Sequence, residues 1–442
     1  MRSTTQAMAV AATAVFILGA TGGPVTAGPG HGRGFDPGPV LTDPDGVIDL
    51  PAGYSYDVLV RDCVDQVTST ESGATFAMPS DFDSNQLVRG AHGQVQLLTA
   101  HELTKPVPGD YQGDAGKCAV PEQATTDDGD SDGWGSVSRL TLGRDGTTVK
   151  RSELIATGLH NLCAGVLTPR GTFLVNEEFP FLDDPEQRSG WVWEIDPKTG
   201  AATKLTGMGR MSHEQEVRSH GAWYLTDDRG NFQFLYKFVP DRQRDLTTGQ
   251  LYGLNFDRAT NTGSWVPIDD PANAEAEMAA KVGVPDATNS FWKHEGIIKA
   301  KHGNGVVFSE SASSSDPGRV WHLRDTRHGV VASVLLEGDF AKLSRPDNLR
   351  YDRAGNLYVF EDNGSALANS DTGGNNEVYV LPKGTLGSDS LVKLATVRDG
   401  GEGTGPIFSR NGKLLYLSIQ DQEQPDGSDG RVIAIHLPGS HH

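Results

Sequence analysis

Short apolar runs recur along the chain in one phase: a glycine turn precedes each and acidic residues close it. They run from Gly93 to Glu102, Gly171 to Glu178, Gly221 to Asp228, Gly305 to Glu310, Gly355 to Asp362 and Gly412 to Asp421. A partner run precedes most of them, beginning at Asn161, His213, His294, Arg345 and Gly401, with a potential ligand just ahead of the apolar stretch. Alternating short runs with regular turn punctuation read as antiparallel strands of a β-rich fold. Six recurrences at roughly blade length predict an all-β, six-bladed β-propeller, each blade four-stranded. Radial repetition then gathers the acidic corners at one mouth of a central channel.

One stretch departs from strand patterning. Asp270 to Gly283 has Asp before Pro, an Ala/Glu-rich interior and a closing glycine, which predicts a single short helix. It is read as an insertion between blades, over the channel rim.

The repeat is most informative from Asn161 to Glu178. Thr168-Pro169-Arg170-Gly171 supplies a turn, with proline presetting φ and glycine accepting φ > 0. The hairpin brings Cys163 back to Glu177 and Glu178. A thiolate beside carboxylates suits a transition metal such as iron better than calcium alone. The other reading is a buried thiol beside a solvated glutamate pair.

The ends and the cysteines change the picture further. Met1 to Ala27 has a positive start at Arg2, an apolar core from Ala7 to Ala20 and the small-residue site Val25-Thr26-Ala27. This reads as a cleaved secretory signal, without the paired arginines of the twin-arginine route. Gly28 to Asp45 reads as a flexible Gly/Pro-rich lead-in, followed by a single propeller domain over 46–442. Of three cysteines, Cys63 and Cys118 sit in polar contexts and can pair, leaving Cys163 over.

The formal charge is −20 with a pI of about 5.0. That surplus argues against nucleic acid and anionic membranes as partners, and it is what a holder of multivalent cations needs. No later run approaches transmembrane length. Asp128, Asp130, Asp132 and Gly133 match the first half of a calcium loop, but Arg139 stands where the bidentate glutamate belongs. A flexible acidic loop is the alternative. No H-E-x-x-H, P-loop or C-x-x-C is present.

Several segments together resemble the PhoX-type secreted alkaline phosphatases. They are Leu50 to Leu59, Asn161 to Glu178, Gly209 to Glu214, Leu225 to Val239, Lys293 to Gly296, Arg345 to Leu349 and Gly401 to Gln420. The resemblance implies a propeller channel holding Fe(3+) and Ca(2+) and acting on small phosphomonoesters outside the cell; separately, the chain is expected to be a monomer. It implies Cys163 as the iron thiolate ligand and Glu178, Glu214, Glu295 and Glu402 as carboxylate ligands, with Asp347 and Asn348 beside them. Lys293 stands where the family typically has an arginine that contacts phosphate, ahead of His294-Glu295 in place of Pro-Glu. Ala100-His101-Glu102 replaces Asn-His-Glu, and Asp421-Gln422-Glu423 replaces His-Pro-Gly. His101, His213 and His294 read either as orienters and proton carriers or as ordinary hydrogen-bonded histidines. Two other readings stand beside the phosphatase: a calcium-dependent lactonase or esterase, and a non-catalytic metal-stabilised propeller.

Overall fold

In the computed structural model, the described residues are 35–90, 93–104, 117–120, 133–178, 189–301, 304–311, 315–363, 375–422 and 424–438. The signal segment and the Asp128-Asp130-Asp132 loop lie outside them. Pro37–His442 is one compact unit, separate from Met1–Asp36.

The described strands fall into sheets of six, four, nine, two, four and six strands, within which six runs of four antiparallel neighbours can be followed, and the fold is all-β and propeller-like. Their innermost strands, taken as blades one to six, are Phe82–Arg89, Leu162–Leu167, His213–Ser219, His294–Lys299, Pro346–Tyr351 and Glu402–Phe408. Each inner strand contacts the next around the ring, and the sixth contacts the first. The second strands are the apolar runs of the sequence: Val95–His101, Phe173–Glu177, Ala222–Asp227, Val306–Glu310, Leu357–Glu361 and Leu414–Gln420. Neighbouring blades cover both faces of most of them. Phe173–Glu177 and Val306–Glu310 are therefore buried throughout and read as continuous rather than alternating runs.

The core lies between blades. Leu98, Val137 and Leu162 pack with Phe173 and Trp193 at the junction of blades one and two. Tyr416, Val432 and Ala434 of blade six pack with Leu97 and Leu140 of blade one. The last junction is closed by the early strand Ser55–Arg61, which pairs with Arg431–His436 as the outer strand of blade six. The two ends of the chain thereby share one sheet, and the ring has no free seam. Val40–Leu41, within the stretch read as a lead-in, pairs with Ile48–Pro51, which pairs in turn with Val392–Val397 of blade five. Cys63 and Cys118 form a disulfide, and Cys163 is free and buried.

The helical insertion lies between blades three and four. A 3-10 turn, Pro271–Asn273, leads into the helix Ala274–Val282, which stops at Gly283 with φ +95°. Its Ala274 and Met278 pack against Leu251 and Ile268 on outer strands of blade three. Gly253 is required there, because a Cβ on it would lie 2.5 Å from the Met278 sulfur. Glu275 pairs with Arg229, next to Asp228 at the channel mouth.

Candidate active site

Each blade repeats one corner. In blades one to five, the first residue of the inner strand pairs with the last of the second strand: Phe82 with His101, Leu162 with Glu177, His213 with Asp227, His294 with Glu310, and Pro346 with Glu361. A register shift follows at once in blades one, three, four and five, and after one further pair, Cys163 with Asn176, in blade two. Such a bulge re-aims the side chains beside it. The residue after each pair then enters the channel. On the inner strands these are Asp83, Cys163, Glu214, Glu295 and Asp347; beyond the second strands they include Glu102, Glu178, Asp228 and Asp362. In blade six the shift comes later, between Thr404 and Ile407, and Glu402 lines the cavity from the strand's first position.

A second device holds the corners. The N–H groups of Glu102, Glu178, Asp228, Ser311 and Asp362 donate to the carbonyls of Asp81, Asn161, Ser212, Lys293 and Arg345 at 2.8 to 3.1 Å. Four of these carbonyl residues, Asp81, Asn161, Lys293 and Arg345, are non-glycine residues at φ +38° to +52°. Backbone in that region costs on the order of 1–3 kcal/mol each and persists where the surroundings over-determine it.

The result is a cavity of about 210 Å³. It is lined by nine carboxylates (Asp83, Glu102, Glu178, Glu214, Asp228, Glu295, Asp347, Asp362 and Glu402) together with Cys163, Asn348 and Lys293. Cys163 Sγ donates to Glu178 Oε2 at 3.1 Å. Asn161 Nδ2 donates to the same oxygen at 2.9 Å and to Glu102 Oε1 at 3.3 Å. Asn348 Nδ2 donates to Asp347 Oδ2 at 3.0 Å, while its Oδ1 accepts the Gly405 N–H of blade six at 3.2 Å. Lys293 Nζ pairs with Asp228 at 3.0 Å and with Glu295.

The electrostatics are lopsided. Burial, then repulsion from neighbouring carboxylates, pushes the carboxyls of Asp83, Glu178, Glu214, Glu295 and Glu402 well above their usual range. Burial also raises Glu102 and Asp347. The Cys163 thiol is pushed up by burial and by Glu102, Glu178 and Glu214. Burial works against the Lys293 ammonium, but Asp228 and Glu295 outweigh it and hold its pKa well above normal. One lysine cannot neutralise nine carboxylates. No hydrogen-bond donor among the described residues reaches Asp83 Oδ2 or Asp347 Oδ1. Buried acceptors left this way call for cations or protons. Three groups of lining side chains place their donor atoms within 4.8 Å of one another, as a metal ion requires: Asp83-Glu102-Cys163, Cys163-Glu178-Glu214 and Glu214-Glu295-Asp347.

The corner also separates Glu177 from Glu178. Glu177 turns away and accepts the N–H groups of His160 and Trp191, while Glu178 faces Cys163. The three histidines occupy outward positions like that of Glu177. His101 bonds to Ser80 O and Ser138 Oγ, His213 to Gly209 O, and His294 Nδ1 accepts the Asp227 N–H. Burial lowers all three to about 4, so they are neutral buried connectors and not proton carriers at the mouth. Asp83 was not among the residues singled out from the sequence. Its signal was its phase, one position after the start of an inner strand, as for Cys163 and Glu214.

Comparison with solved structures finds a PhoX from Pseudomonas fluorescens, in complex with vanadate, a transition-state analogue. It has a TM-score of 0.69 and 19% identity, over 92% of this chain and 98% of that one. A gluconolactonase from Xanthomonas campestris gives a TM-score of 0.37 at 11% identity over 86% and 99%, too distant to bear on function. Comparison with curated proteins finds no match. The family model described as alkaline phosphatase PhoX matches residues 35–321, well over half of the 442 residues, and the chain belongs to that family of phosphomonoesterases.

Proposed function

We propose that this phosphomonoesterase works through a cluster of iron and calcium ions held at the channel mouth by Cys163, Glu178, Glu214, Glu295, Asp347 and Glu402. The observation that carries the reading is the sharing of donors. Cys163 belongs to two of the three groups, and Glu214 links the thiol-bearing group to the all-oxygen group. Shared donors suit adjacent ions. The group containing Cys163 suits iron, and Glu214-Glu295-Asp347 offers the hard oxygen set that calcium takes. When bound, the ions supply the positive charge that stabilises a phosphoryl transition state and that a chain at −20 otherwise lacks.

The chain's own residues bind and orient. Asn161 holds Glu178 and Glu102 in place, and Asn348 fixes Asp347 while tying blade five to blade six. As an iron ligand Cys163 would have to lose its proton, because a thiol must ionise to ligate. Lys293, already charged and side by side with Glu295, donates to a phosphoryl oxygen. As a point charge it grips without the two-pronged geometry of arginine. The protein acts outside the cell on small phosphomonoesters. The described residues contain no helix long and apolar enough to cross a membrane.

Elemental analysis of the purified mature protein, followed by phosphate release from a simple aryl phosphate, tests this. Iron together with calcium and measurable turnover is expected. Calcium without iron in protein prepared with iron present, or no phosphate release from metal-replete protein, overturns it.

A further inference from the structure

The inner strands have a second end, away from the acidic mouth. Where those of blades four, five and six run out, a cavity of about 470 Å³ is lined by Lys301, Arg350, Tyr351, Arg353, Phe408 and Arg410. Asp347 and Arg350 lie three residues apart on one strand, about 10 Å at the usual rise of ~3.3 Å per residue. In a chain with a net charge of −20, four cations around one cavity run against the general surplus.

These cations are not matched by carboxylates. Asp352 also lines the cavity, but its oxygens are taken up in its own turn. Oδ1 accepts the N–H groups of Gly355 and Asn356 at 2.7 and 2.9 Å, and Oδ2 accepts Asn356 Nδ2 at 2.6 Å. Lys301 Nζ donates to the backbone carbonyls of Asp352 and Arg353. Arg353 Nη1 donates to the Arg410 carbonyl at 3.0 Å. Arg350 is partly buried, and burial is the sole influence on its charge. Among the described residues it has no hydrogen-bonding or ion-pair partner. A half-buried guanidinium with no protein partner is free to pair with an anionic ligand. Ser409, the remaining lining residue, uses its hydroxyl on Asn411. Tyr351 and Phe408 add aromatic surface, with Phe408 edge-on to Tyr358 at 5.0 Å.

We infer that this cavity is an anion site, separate from the catalytic mouth, which binds a small phosphate-bearing molecule. Guanidinium groups from two blades match the forked geometry of phosphate oxygens. The aromatic wall has room for an organic group beside the phosphate. The ligand is either free inorganic phosphate, the product of the family's own reaction, or the phosphoryl group of an organic phosphate. The inference does not depend on the metal reading, because none of these side chains lines the mouth.

Calorimetric titration of the metal-replete mature chain with inorganic phosphate, and separately with phenylphosphonate, tests it. Phenylphosphonate carries a phosphoryl group and an aromatic ring but no ester to cleave. The chain is compared with R350Q and with R410Q, the latter at an exposed position where folding is not at risk. Each variant is expected to weaken one binding event by about tenfold or more, as the loss of a charge-assisted hydrogen bond predicts, and to leave aryl phosphate turnover unchanged. Stronger binding of phenylphosphonate assigns the site to an organic phosphate, and stronger binding of inorganic phosphate assigns it to the product. Equal affinities and equal numbers of sites in the wild type and both variants overturn the proposal.

Discussion

Cys163 Sγ lies 3.1 Å from Glu178 Oε2, and the two residues stand at opposite ends of one hairpin. The bulge after Cys163 makes this approach possible. It is accommodated at Gly165, where a Cβ would lie 2.2 Å from the Leu174 carbonyl oxygen. Glu178 is fixed from its other side by the Asn161 amide. A soft and a hard donor are therefore preset on a single rigid element.

Cys163→Ser keeps the shape of this pair but removes the soft donor. Iron content is expected to fall towards zero. Phosphatase kcat/KM is expected to drop more than about 100-fold, beyond the 10–100-fold typical of a partner one shell further out. Circular dichroism should remain that of a folded β-protein. Wild-type iron content in the serine variant would remove Cys163 from the ligand set.

The hairpin around Cys163, the six apolar runs and their acidic ends were legible because turn chemistry and strand length are local properties. The Cys63–Cys118 pairing was legible as one of the open options. The bulges were not, since they are set by the register between strands and by blade-to-blade packing. Sequence alone therefore left Glu177 and Glu178 equivalent, passed over Asp83, and left the three histidines between two readings. The pairing of Ser55–Arg61 with Arg431–His436 was also invisible, because it joins segments from opposite ends of the chain.

Lys293 stands in the left-handed region at φ +38°, with its carbonyl accepting the Ser311 N–H. Lys293→Ala removes the cation at the mouth and is expected to lower kcat/KM by about 100-fold or more, the scale of losing a transition-state donor. Lys293→Arg keeps the charge and is expected to retain activity within about tenfold. A fall in kcat with little change in KM identifies contact made mainly in the transition state. An alanine variant with unchanged kinetics would exclude the clamp.

Glu310 supplies a pH dependence away from the acidic mouth. It accepts from Arg258 Nη1 at 2.6 Å, Arg319 Nη1 at 3.2 Å, Trp321 Nε1 at 2.7 Å and the Trp292 N–H at 2.9 Å. Burial opposes ionisation, but these partners, Arg258 first, hold its pKa below the usual 4.5. A depressed carboxyl stabilises the fold above 4.5, and that contribution is lost as pH falls from 4.5 through the depressed value. Glu310→Gln is expected to cost about 3 kcal/mol near neutral pH, the low end for a broken buried pair because Arg258 is partly exposed. Its Tm should also fall less than that of the wild type below pH 4.5. Parallel Tm curves for the two proteins would show that Glu310 carries no acid-sensitive stability.

The closure of the ring makes the last prediction. Lys117 Nζ sits among Asp81 Oδ1 at 2.6 Å, Asp421 Oδ1 at 2.6 Å and Asp429 Oδ2 at 2.8 Å, joining blade six to blade one. Its neighbour Cys118 is bonded to Cys63, just beyond the strand that completes blade six. Asp81 in turn holds Glu102 through its carbonyl at 2.8 Å. The bridge spans 55 residues, so opening it should cost about 4 kcal/mol by chain entropy. Lys117→Ala leaves three carboxylates facing one another, within the spacing that a cation would fill. Its Tm is expected to fall in the absence of divalent ions and to recover when calcium is added, because calcium takes the place of the ammonium. The wild type, with the ammonium in place, should gain much less from the same addition. If calcium shifts both proteins equally, the three carboxylates do not act as one charge cluster, and the seam is held by the disulfide and the strand pairing alone.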